Sequence, residues 1–166
     1  DNSPACSPWM MALLGDALWR FYQLTGDTRA AALIDAFGDF ILNHGIYYGS
    51  AKVNNIVIPK YIVSISNSKQ EELNQWTDPQ HACDVAALLG KSAFIEQKNK
   101  RDYLLVKSLF EALLEQCAQS YAKLKKVQQS KRESKYWLLK PPRRFGWMYS
   151  TTSDLPWLNN ALLKNF

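Results

Sequence analysis

The chain contains no run of 18 apolar residues, which excludes a membrane-crossing helix of ordinary length. It has only two histidines, His44 and His81, and three cysteines, Cys6, Cys83 and Cys117. None of the cysteines stands at the short spacing of a metal site. A glycine-rich phosphate loop and a nucleophile elbow are both missing. Neither a metal nor a cofactor is therefore expected. Glycine and proline, seven each, are too few for a fibrous or linker-like chain. The start at Asp1 shows no basic stretch leading into an apolar one, so no signal peptide is visible; a trimmed chain or a processed one would look alike here. The cysteines leave two readings open: buried thiols, or one disulfide in an exported protein.

What is present is apolar and aromatic. Of the 166 residues 47% are hydrophobic, too many for a disordered chain and enough for a core. The length fits a single domain over 1–166. Helical periodicity dominates. Met10, Leu13, Leu14, Ala17, Leu18, Phe21 and Leu24 predict a first helix from about Pro8, capped by Ser7. Met11, Trp19 and Tyr22 fill its other side, so it reads as a helix buried on most sides. A Thr25-Gly26-Asp27 turn leads to a second helix with a stripe of Ala30, Leu33, Ile34, Phe37, Phe40 and Ile41. Arg29, Asp35 and Asp39 lie off that stripe, on a wet face. A third helix starts near Asp78-Pro79, with Ala82, Val85, Ala86, Leu89 and Ala93 on one face. A fourth spans about Asp102 to Val127, and a last one starts at Leu155. Between the second and third, residues 47–66 read as a small β-hairpin, with Pro59 confining it to an edge.

Ala12-Leu13-Leu14-Gly15 recurs as Ala87-Leu88-Leu89-Gly90, and Asp27 as Asp102, both at an offset of 75. Pro156-Trp157-Leu158 and Ala161-Leu162-Leu163 echo the start of the first helix again. Turns within each helix pair are short and connections between pairs are long. The long connections therefore share one end, where helices one, three and five begin.

Ser7-Pro8-Trp9-Met10, Leu24-Thr25-Gly26-Asp27-Thr28-Arg29 and Trp76-Thr77-Asp78-Pro79-Gln80-His81-Ala82-Cys83-Asp84-Val85 resemble the six-hairpin, or (α/α)-toroid, glycosidase-like superfamily. That resemblance implies an all-α fold of antiparallel helical hairpins forming part of a toroid. Six units of 75 residues need about 450, so this chain matches about 2.2 units, the C-terminal part of a longer protein. It further implies a carbohydrate-active domain, part of a glycoside hydrolase, polysaccharide lyase or epimerase. An acidic poly- or oligosaccharide would lie where the inner helices begin. A periplasmic or secreted location follows from the same likeness, and the remainder of the toroid would be a partner.

The residues give that end its chemistry. Trp9, Trp76, Trp157 and Tyr149 offer flat faces for stacking on sugar rings. Residues 98–144 carry 13 basic and 4 acidic side chains, and Arg144 within them can grip a carboxylate. His81 and Asp84, three apart on one helix, can meet for proton transfer. Asp154 supplies a second carboxylate. Lys60 and Tyr61 would close the cleft from the hairpin. Two other readings accompany this one: a non-catalytic helical interaction domain and, ranked last, a nucleic-acid binder using the 98–144 block.

Overall fold

The computed structural model describes residues 4–48, 57–67, 78–130 and 150–163, with backbone alone for 78–80 and 120–130. Within them the chain is all-α. Its helices are α1 (Pro8–Thr25), α2 (Thr28–Phe40), α3 (Asp78–Lys98), α4 (Leu104–Ser130) and α5 (Leu155–Leu163). A π-helical turn, Ile41–Gly45, ends α2 and leads into β1 (Ile46–Tyr47). β1 pairs antiparallel with β2 (Ile58–Pro59), Ile46 opposite Pro59 and Tyr47 opposite Ile58. The small sheet expected within 47–66 is present, and beyond it Val63 bridges to Cys6.

The helix ends follow local chemistry. Ser7 occupies the cap position of α1 with Pro8 at the first turn, though its hydroxyl makes no cap bond. Gly26 ends α1 in the left-handed conformation, φ 70°, which glycine adopts without steric cost. Asp27 accepts from the Arg29 amide at 2.9 Å and is gripped by the Arg29 guanidinium. These bonds hold its carboxyl well down, at about 2. The second hairpin repeats the device. Asp102 accepts from the Leu104 amide at 3.1 Å, and Lys100 takes the left-handed position at φ 56° without a glycine. That conformation costs a side-chain-bearing residue about 1–2 kcal/mol.

The contacts of α3 rise along both partners. Trp9 meets His81, Asp16 meets Lys91 and Trp19 meets Phe94, so α1 and α3 run parallel and in register. Thr151 meets Asp84, Asp154 meets Lys91 and Trp157 meets Phe94, so α5 runs parallel on the far side of α3. Asp35 on α2 reaches both Ser92 and Arg101, and α2 runs back antiparallel. α1, α3 and α5 thus form one layer, joined by the returning helices α2 and α4.

Two expectations about individual helices fail. α1 was expected to be buried on most sides, yet Met10, Leu14, Phe21 and Leu24 are about half exposed or more. α3 was expected to bury one face, yet every residue from His81 to Ala93 is buried. The physical reason is position. α3 packs on α1, α2, α4 and α5, whereas α1 is an outer member of its layer. On α2, similarly, Leu33 of the apolar stripe is half exposed while Asp35 of the wet face is buried.

Cys6 is free, and Cys83 of α3 and Cys117 of α4 form a disulfide. It closes a loop whose ends lie 34 residues apart, a constraint worth about 3–4 kcal/mol by chain entropy. Denatured unreduced protein is expected to titrate one thiol per chain and reduced protein three. Replacing Cys83 and Cys117 by serine should lower unfolding free energy in urea by that amount. Three thiols before reduction would refute the pairing.

Candidate functional site

At the start of α3 three rings lie together. Trp9, from the first turn of α1, stacks on His81 with centroids 5.1 Å apart and planes 15° apart. Tyr61, just after β2, lies 6.2 Å from the Trp9 ring and 6.0 Å from His81. Backbone pairing sets this arrangement. The Lys60 amide donates to the Gly45 carbonyl at 2.8 Å, and Cys6 and Val63 exchange both amide bonds. The segment carrying Tyr61 is thereby tied to the end of α2 and to the residues that precede α1.

His81 and Asp84 meet as their spacing predicted. His81 Nδ1 lies 3.4 Å from Asp84 Oδ2. The other carboxylate oxygen of Asp84 accepts from the Thr151 hydroxyl at 2.5 Å. Thr151 and Asp84 are buried, and His81 is 7% exposed. A carboxylate fixed from both sides can hold the imidazole in one orientation.

Asp154 does not join this pair. It lies beside Lys91, two turns or about 10 Å further along α3. There Lys91 Nζ donates to Asp16 Oδ1 at 2.6 Å and lies 3.5 Å from Asp154, and Arg20 reaches Asp154 at 3.3 Å. Ser150 donates to Asp16 at 3.1 Å, and Arg20 donates to Ser153 at the same distance. Two cations and two carboxylates balance here, which is what allows an ammonium only 1% exposed. Asp154 is thus paired with Lys91 and Arg20 and lies apart from the His81–Asp84 pair.

Trp157 is also placed elsewhere. It packs 4.9 Å from Phe94 and 6.3 Å from Trp19, near the other end of α1. With Tyr22, Gly26 and Lys98 these rings line an open pocket of about 590 Å³. The sequence put Trp157 with Trp9 because both precede apolar helical stretches. α5, however, begins two turns deeper along the layer than α1. Trp76, Tyr149 and Arg144 lie outside the described residues, as does the part of the basic block from 131 to 144.

Lys91, Asp16 and Thr151 were missed by sequence reasoning. A signal existed for two of them. Asp16 and Lys91 each follow the Ala-Leu-Leu-Gly motif, so opposite charges stand at equivalent places 75 apart. Glu96 was missed as well. It is buried beside Asp35 and Asp39, and burial first and these carboxylates second push its carboxyl up to about 7.

Lys91→Met should destabilise by about 3–5 kcal/mol in denaturant titration, because Asp16 and Asp154 lose their shared cation. Adding Asp16→Asn should recover part of that loss; a single variant as stable as the parent would contradict the pairing. Glu96 gives a pH effect of definite sign. The folded chain retains a proton that the unfolded chain, titrating near the ordinary 4.5, releases. Stability therefore falls as pH rises from about 4.5 to 7 and changes no further from this group above it. Glu96→Gln should raise the melting temperature at pH 8 and leave it nearly unchanged at pH 4. An equal shift at both would refute this assignment.

Compared with protein-family models, curated proteins and solved structures, the chain gives no match in any of the three.

Proposed function

We propose that the chain is a carbohydrate-binding part of a helical-repeat protein, taking an acidic oligosaccharide at the start of α1 and α3. The observation that carries the reading is the stack of Trp9, Tyr61 and His81 beside the His81–Asp84–Thr151 hydrogen-bonded set. Flat aromatic faces pack on the apolar faces of sugar rings, which water solvates poorly. A carboxylate-oriented histidine can bond a sugar hydroxyl or move a proton at it. The parallel layer of α1, α3 and α5 with antiparallel returns supports the toroid-like reading of the repeat. The disulfide supports an oxidising compartment, consistent with a periplasmic or secreted protein. In this reading Trp9 and Tyr61 bind a ring, His81 addresses a hydroxyl, and Asp84 positions His81.

A second reading, a non-catalytic helical interaction domain, is favoured by the exposed apolar side of α1.

Titration with uronate oligosaccharides, followed by tryptophan fluorescence, tests the first reading. A saturable change is expected, stronger for acidic than for neutral oligomers. Tyr61→Ala and His81→Ala should each weaken it at least about tenfold, a loss of about 1.4 kcal/mol, with helicity by circular dichroism retained. Absence of any response to acidic and neutral sugars alike would sink the binding claim.

A further inference from the structure

We propose that the exposed side of α1 is the seat of another helical hairpin of the same polypeptide, on the N-terminal side of α1, packed as α1–α2 packs on α3. The proposal rests on the repeat and not on the saccharide reading. Met10, Leu14, Ala17, Phe21 and Leu24 are spaced 4, 3, 4 and 3 residues apart and form one stripe of α1. All five are exposed, Leu24 at 86%. A seam with this spacing is the kind one helix offers to another. No other element of the described residues covers it.

The repeat says what such a stripe is for. Shifted by 75, these positions become Val85, Leu89, Ser92, Glu96 and Asn99 of α3. The first four are buried, Val85, Leu89 and Ser92 completely. Two of them identify the cover. Ser92 donates to Asp35 of α2, and a methyl group on Gly38 would lie 2.2 Å from the Ser92 hydroxyl oxygen. Glu96 feels the carboxylates of Asp35 and Asp39, also on or next to that helix face. The stripe of α3 is therefore the surface against which the preceding hairpin packs. The opposite side of each helix repeats as well. Gly15 of α1 meets Leu88 of α3, and its equivalent Gly90 of α3 meets Leu158 of α5 as well as Phe110 of α4. Each helix of the layer thus has a side for the unit before and a side for the unit after. Among the described residues only α1 has the first side bare.

The chemistry of the occupant follows from the substitutions. Where α3 has Ser92 and Glu96, α1 has Ala17 and Phe21. The facing helix needs no counterpart of Asp35; it must be apolar and must offer a small residue near Ala17. In a second copy of the chain the equivalent surface of α1–α2 is already covered by its own α3, and that of α3 by its own α5.

Thiol labelling of the complete polypeptide as translated tests this. In a Cys6→Ser background, Ala17→Cys reports on the stripe and Arg29→Cys, whose side chain is 88% exposed, gives the reference rate. With the protein monomeric by light scattering, maleimide should modify Ala17→Cys at least about tenfold more slowly than Arg29→Cys. Adding Phe21→Glu should remove most of that protection. Equal labelling rates would overturn the proposal, as would protection that appears only with dimerisation and fades on dilution, which would assign the face to a second copy.

Discussion

The structure turns on one constraint: α3 is enclosed on every side, yet it carries charge. A helix between four others leaves few polar groups to water, so most must meet a partner in the interior, and Glu96, whose Oε2 has none, keeps its proton. Lys91 sets the terms. Its ammonium holds Asp16 of α1 and Asp154 ahead of α5, and so fixes the two neighbouring helices of the layer to a common centre. The ring contacts of Trp9 with His81 and of Trp19 and Trp157 with Phe94 hold the same register on either side of Lys91.

The same enclosure organises the other side of α3. Ser92 and Glu96 face α2, where Asp35 is gripped by Arg101 from the following turn. Four carboxylates and one guanidinium share this region, and Glu96 resolves the imbalance by holding its proton to about pH 7. The disulfide from Cys83 to Cys117 ties α3 to α4 on the remaining flank. The first turn of α3, with His81 and Asp84 between Trp9, Tyr61 and Thr151, is therefore built on the most constrained helix of the molecule. Rigid support of this kind is what a binding site needs.

Pseudo-repetition and exposure are two expressions of one design. Equivalent residues touch across the layer, as Asp16 does Lys91 and Trp19 does Phe94, because parallel neighbours in register bring like positions side by side. Among the described residues the apolar stripe of α1 is the exposed member of a series whose next member, on α3, is buried.

Helix existence, the tight turns and the i, i+3 pairing of His81 with Asp84 were legible from the residues, since each depends on neighbours within a few positions. The repeat was legible from the recurrence of a motif; the Ser7 cap bond was not formed. Lys91 was not legible as a centre of charge, because its partners Asp16 and Asp154 lie 75 and 63 residues away. The separation of Trp157 from Trp9, the split between Asp154 and the His81–Asp84 pair, and the inverted burial of α1 and α3 required three dimensions. Amphipathic pattern reports how apolar a helix face is. Which face meets another helix is decided by how many neighbours the helix has, and only the packed chain sets that number.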